Sequence, residues 1–181
     1  MDDSSPRLRA ILFDRDDTLI EDVPYNGDPD RVRPMPHARE ALQRARRAGL
    51  RTGVLSNQSG IARGILTVVQ VEAVNAQVER MLGPFDVWRY CPHGPDDGCR
   101  CRKPQPGMIR SAAGELGLCP AEVAMIGDIG ADVEAAAAAG ARGVLVPTSR
   151  TRPDEVQAAA VVVPDLVAAV ALLLEDAGGL S

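Results

Sequence analysis

Ala10-Ile11-Leu12-Phe13-Asp14-Arg15-Asp16-Asp17-Thr18 is the stretch on which the fold turns. Four consecutive apolar residues fit a strand buried on both faces, and the abrupt change at Asp14 marks where that strand leaves the core. Outward from it, apolar strands and helical patterns alternate. The segment 21–36 is rich in Pro, Gly, Asp and Asn and reads as an excursion loop. In 36–48, Ala38, Ala41, Leu42, Ala45 and Ala48 stand at helical spacing, with Gly49 as a stop. Strands are expected at 53–55, ending on Ser56 and Asn57, and at 86–90, 123–126 and 143–146, with a short sixth at 160–163. Helices are expected at 68–82, 106–116, 131–139 and 166–175, and a helix start at 151–155. This order predicts an α/β fold, a three-layer Rossmann-like parallel sheet with helices on both faces. No second domain or internal repeat is visible, so residues 1–181 read as one domain. In such sheets ligands bind beyond the carboxyl ends of the strands. Asp14, Asp16, Ser56, Asn57 and Asp128 therefore matter most.

The net charge is −5, which gives no basic stripe for nucleic acid. An acidic chain that handles an anion must concentrate positive charge locally. Lys103 is the only lysine beside nineteen arginines, so its position calls for a specific reason. The first six residues are acidic and polar, unlike a secretory leader. The most apolar stretch, 166–174, is far short of the ~20 residues a membrane span needs. The expected compartment is the cytoplasm. Without a long heptad or an apolar interface helix, the expected state is a monomer. Three of the four cysteines crowd into one loop, which in a reducing compartment favours metal over disulfides.

Asp14, Asp16 and Asp17 at one strand end repel one another, and burial makes that worse. A divalent cation resolves the conflict, and hard oxygen ligands suit magnesium. Ser56 and Asn57 can donate hydrogen bonds to phosphoryl oxygens, and Lys103, in Arg102-Lys103-Pro104, can neutralise a phosphoryl group. Asp128 follows an apolar strand and can complete the magnesium site. Asp132, one helical turn later, reads either as a residue just behind the metal's ligands or as an acid favoured by the helix dipole. Each motif is weak alone. Cys91-Pro92-His93 and Cys99-Arg100-Cys101 bracket a Gly/Pro/Asp loop, and three thiolates with one imidazole make a complete tetrahedral zinc site with no open position. Its expected role is structural. Cys119 reads as an ordinary cysteine, and His37 as surface polar.

In this order the motifs resemble the haloacid dehalogenase superfamily of phosphohydrolases, with its patterns DxDxT, S/T, K and GDxxxD, from Ala10 to about Val146. The resemblance implies a magnesium-dependent phosphatase for a small phosphorylated metabolite. Asp14 would be the nucleophile and form an aspartyl phosphate. Asp16 would be the general acid and base. Magnesium would be held by Asp14, Asp128 and the backbone carbonyl of Asp16, while Ser56 and Lys103 would stabilise the transferring group. Residues 56–64, Ser-Asn-Gln-Ser-Gly-Ile-Ala-Arg-Gly, the Cys-x-His and Cys-x-Cys loop and Cys101-Arg102-Lys103-Pro104 narrow the likeness to the heptose 1,7-bisphosphate 7-phosphatase family, which lacks a large cap domain. There Asn57, Gln58 and Ser59 would line the substrate pocket, and Arg102 would recognise the far end of the substrate. The related histidinol-phosphate phosphatase domain shares the zinc loop, so histidinol phosphate is the alternative substrate. A zinc-stabilised binding module without activity is the third reading. Two positions depart from the family. Asp17 stands where glycine is usual; if the position needs a positive φ, aspartate tolerates it at modest cost. Ile129 stands where lysine is usual, which predicts a missing cation near the substrate.

Overall fold

In the computed structural model, which describes residues 6–178, five strands form one parallel sheet in the order β3-β2-β1-β4-β5. They are β1 (Ala10–Phe13), β2 (Arg51–Asn57), β3 (Val87–Cys91), β4 (Val123–Gly127) and β5 (Arg142–Leu145). The helices are α1 (Ala38–Arg47), α2 (Val68–Leu82), α3 (Gly107–Glu115), α4 (Gly130–Ala139), α5 (Pro153–Ala158) and α6 (Leu166–Gly178). The expected parallel sheet between helical layers is present. Alternation along the central strands explains it. Ile11, Phe13, Val54, Ala124 and Ile126 face one core, closed by α1, α2 and α6. Ala10, Leu12, Leu55, Val123 and Met125 face the other, closed by α3 and α4. Strands buried on both faces must be apolar throughout, which is why the sequence shows short runs rather than an alternating pattern.

The chain builds β1, β2 and β3 in one direction, then crosses to add β4 and β5 on the other side of β1. The strand order reverses at β1, and the crevice at that reversal is where such sheets bind ligands. Register makes the crevice specific. Phe13 lies beside both Val54 and Ile126, so Asp14, Ser56 and Asp128 stand one or two residues beyond a shared level of the sheet.

Most boundaries shift by a few residues, and three differences change the reading. Helix α1 begins at Ala38 because His37 adopts φ 64, outside the helical region. The 160–163 segment forms only a bridge, Leu145 to Val162, not a strand. Leu145 exchanges hydrogen bonds with Val161 and Val163, but the next rung would need an N–H from residue 147, which is proline. Strand β2 extends through Asn57, placing that side chain on the sheet rather than in a turn. Among the described residues no helix is long and apolar enough to cross a membrane. The leader reading falls on residues 1–5, which lie outside the described residues.

Candidate active site

Asp14 caps the central strand, its N–H donating to the carbonyl of Ile126 on β4. Lys103 approaches from the far side of the sheet order. Its Nζ donates to Asp14 Oδ1 at 2.6 Å and to the Leu55 carbonyl at 2.9 Å. The same ammonium lies 2.6 Å from Asp132 Oδ1, off the axis of an aligned hydrogen bond, so that contact is an ion pair. Asp132 is fully buried, and its other oxygen accepts the Ile129 N–H at the start of α4. Asp132 thus caps α4 and pairs with the lysine. Gly127 makes room for this, since a methyl group there would overlap the Asp132 carboxyl.

Asp128 completes the cluster. One oxygen accepts from Thr18 Oγ1 at 3.2 Å, and its backbone carbonyl accepts from Thr151 Oγ1 at 2.6 Å. One carboxylate oxygen each from Asp14, Asp128 and Asp132 lies within 4.8 Å of the others. With protein groups alone this concentration of acid is uncomfortable. Burial, then Asp14, Asp132 and Asp17, pushes the Asp128 carboxyl up to about 9. Burial raises Asp14 to about 7 despite the pull of Lys103. Burial works against the charge on Lys103, but Asp132 and Asp14 outweigh it and hold the ammonium more firmly protonated than usual. Buried hard oxygens that repel one another fit a small divalent cation such as magnesium. Because both Asp132 oxygens are engaged by Lys103 and Ile129, Asp14 and Asp128 are the side chains left to hold it.

Asp16 points elsewhere. Its carboxylate accepts from Arg15 Nε at 3.2 Å and Nη2 at 3.1 Å, from Gln58 Nε2 at 3.0 Å and from Ser56 Oγ at 3.4 Å. Asn57, expected to face a substrate, is tied into the framework. Its Nδ2 donates to the Lys103 carbonyl at 3.0 Å, and its Oδ1 accepts the Lys103 N–H at 3.1 Å. A cavity of about 310 Å³ is lined by Asp14, Asp16, Lys103 and Asp128 together with Ile129 and Arg150. Gln58, Ser59 and Tyr25 line an adjoining hollow of about 280 Å³ that shares Asp16 and Asn57 with the first. Arg102 lies on the other side of Lys103, donating to the His93 carbonyl at 3.3 Å and lining a third hollow. Larger hollows flank α2 and α4, but neither gathers a comparable set of acids around a cation.

Of the two unusual positions, Asp17 has φ 55, a left-handed conformation that aspartate tolerates better than most residues. The expectation of a missing cation beside Ile129 needs correction. Arg150, from the segment after β5, reaches the same cavity and pairs with Asp22 and, at 3.5 Å, with Asp17. No local signal could have found it, since Arg150 is far in sequence from every motif. Arg15 and Thr18 also went unassigned, although both stand inside the opening motif.

The second cluster is the cysteine loop. Cys91, Cys99 and Cys101 are free thiols with Sγ–Sγ distances of 3.1, 3.5 and 3.6 Å. His93 Nδ1 is 3.4 Å from Cys91 Sγ and 3.3 Å from Cys101 Sγ. A tetrahedron with metal–sulfur bonds of ~2.3 Å has edges of about 3.8 Å, so the four atoms nearly enclose one ion. Burial raises the Cys91 thiol to about 12, whereas at Cys99 burial also pushes upward but is outweighed by the Arg102 and Cys101 N–H groups and the neighbouring thiols, which bring it down to about 7. The donor set fits a closed metal site.

Comparison with known proteins agrees with this geometry. Residues 100–170 match the HAD-hydrolase-like family. The D-glycero-beta-D-manno-heptose-1,7-bisphosphate 7-phosphatase of Pseudomonas aeruginosa is 36% identical over 173 residues, covering 91% of this chain and 97% of that protein. Its namesake in Escherichia coli strain K12 is 36% identical over 163 residues, 83% of this chain and 85% of that one. The crystal structure of the D,D-heptose 1,7-bisphosphate phosphatase from B. bronchiseptica, complexed with magnesium and phosphate, superposes with a TM-score of 0.82 at 33% identity, covering 93% of this chain and 99% of that chain.

Proposed function

The chain belongs to the heptose 1,7-bisphosphate 7-phosphatase family of haloacid dehalogenase-like phosphatases, and on that premise we propose that it removes the 7-phosphate of D-glycero-D-manno-heptose 1,7-bisphosphate. One observation carries the catalytic reading: Asp14, Lys103 and Asp128, remote in sequence, line one cavity with Nζ 2.6 Å from Asp14 Oδ1. We assign Asp14 as the nucleophile. Its carboxylate oxygen attacks phosphorus, the ester P–O bond breaks, and the aspartyl phosphate forms. Asp16 gives its proton to the departing sugar oxygen, then takes one from the water that hydrolyses the intermediate and restores Asp14. Lys103 neutralises the phosphoryl oxygens and Ser56 donates to them. Asp14, Asp128 and the backbone carbonyl of Asp16 would hold magnesium, which supplies the positive charge that lets a carboxylate meet a phosphate. Gln58 and Ser59 would line the sugar subsite, and Asn57 serves chiefly to hold Lys103 in place. Arg102 would address the far end of the substrate.

Zinc is the metal we assign to Cys91, His93, Cys99 and Cys101, in a structural role. The assignment also takes the chain as one domain, monomeric and cytoplasmic, active in carbohydrate metabolism.

A phosphate-release screen with magnesium over sugar phosphates, the heptose bisphosphate and histidinol phosphate tests the substrate. The heptose bisphosphate should be turned over with the highest kcat/KM. Comparable turnover of histidinol phosphate with poor turnover of the heptose ester would reject it. Asp14→Asn should abolish release from every ester; equal inertness of wild type and variant would favour a binding module instead.

A further inference from the structure

Arg15 is the only arginine among the described residues that is buried, at 2% exposure. Withdrawing a guanidinium from water is costly unless each face of it is paired. Two edges of its fork go to the neighbouring carboxylate, Nε to Asp16 Oδ1 and Nη2 to Asp16 Oδ2. The third goes across the interior, Nη1 donating to Asn75 Oδ1 at 2.7 Å. Asn75 is on α2, sixty residues away, within a buried stripe otherwise made of Val71, Val74, Val78 and Leu82. An asparagine there weakens both the helix and the apolar contact, and the guanidinium it accepts is its only hydrogen-bonded side-chain partner among the described residues.

We propose that Asn75 and Arg15 are positioning residues for the proton transfer by Asp16: α2 fixes the guanidinium through Asn75, and the planar fork fixes the orientation of the Asp16 carboxyl. This rests on the assignment of Asp16 as proton donor. The step concerned is the one in which the ester P–O bond breaks, its electron pair stays on the sugar oxygen, and the Asp16 proton moves to that oxygen. A side-on Arg–carboxylate pair has one geometry, which a lysine point charge cannot reproduce. Gln58 and Ser56 both donate to Asp16 Oδ2 alone, which leaves the carboxyl free to pivot about that oxygen unless Arg15 is held.

Leaving-group dependence separates positioning from scaffolding. An alkyl phosphate needs a proton on its departing oxygen, whereas p-nitrophenyl phosphate releases an anion that is stable without one. The test measures kcat/KM, which reports steps only as far as departure of the alcohol and so leaves out the hydrolysis common to both esters, on an alkyl ester (the heptose bisphosphate or glycerol phosphate, whichever the wild type turns over) and on p-nitrophenyl phosphate, for Asn75→Ala, Arg15→Lys and Asp16→Asn. The alkyl-to-aryl ratio cancels the fraction of folded enzyme, so partial unfolding does not blur it. We expect the ratio to fall ~100-fold in Asp16→Asn and ~10-fold in Asn75→Ala and Arg15→Lys. If Asp16→Asn lowers the ratio but Asn75→Ala and Arg15→Lys lower both rates alike, the positioning role is wrong and the pair is structural. If Asp16→Asn leaves the ratio unchanged, the proton-donor assignment itself fails and the inference goes with it.

Discussion

Asp14 and Asp128 carry the most legible electrostatic signature in the molecule. Their ordinary value is 3.8, and in the fold they sit at about 7 and about 9. Each carboxyl therefore keeps, when folded, a proton that the unfolded chain releases near pH 4. Where the folded state binds more protons, stability falls as pH rises. The window runs from about pH 4 to about 7 for Asp14 and to about 9 for Asp128. The metal-free protein should lose stability progressively across it, and a divalent cation that replaces those protons should restore most of the loss. Melting curves at pH 6 and pH 8.5, with and without magnesium, check this: the gain from magnesium should be larger at the higher pH. A gain independent of pH would mean that these carboxylates are not where the ion binds. The residue scale was also where the sequence said most, because Asp14, Asp16, Lys103 and Asp128 could be picked out by type and position. What it could not give was orientation. Asp132 reads from sequence as an acid favoured by the helix dipole or as a residue behind the metal, and only the fold gives its contacts, one oxygen to Lys103 and the other to the Ile129 N–H.

Elements convert that list into a site. Three strand ends at one level deliver Asp14, Ser56 and Asp128, and strand ends follow readily from apolar runs that stop abruptly. The segment carrying Lys103 is irregular, so periodicity says nothing about its course. It is held to β2 by the two reciprocal hydrogen bonds between Asn57 and the Lys103 backbone. Replacing Asn57 with alanine removes both and leaves a half-buried N–H and carbonyl to water. The expected cost is about 1–3 kcal/mol in chemical denaturation. The displaced ammonium should lower kcat ~10-fold or more while KM changes little. Unaltered kcat with lowered stability would mean that the lysine is positioned by its carboxylate partners alone. The reading of 160–163 as a strand failed at this scale for a backbone reason, the proline at position 147 where the ladder needed a donor.

Across the whole molecule, the chemistry depends on segments that begin 89 residues apart in Asp14 and Lys103. The cysteine loop follows edge strand β3 and runs directly into Arg102 and Lys103, so whatever pins the loop also pins the ammonium. Cys99→Ala should lose the bound zinc by elemental analysis and lower the melting temperature by ~5–15 °C. Phosphatase activity should drop as the Lys103 segment loosens. Unchanged melting and kinetics would contradict the structural role. By itself the sequence determined the layered α/β architecture, the acids at the strand ends, the solitary lysine and the four-donor metal loop. These follow from local patterning: buried strands must be apolar, and chemistry concentrates where they stop. Only the tertiary structure decided which side chains share a cavity. It brought Arg150 beside Ile129, tied Asn57 to Lys103 and ran a buried arginine from Asp16 to Asn75. Those pairings depend on how α2 and the long loops pack over the sheet, and no spacing along the chain encodes contacts between partners about twenty to sixty residues apart.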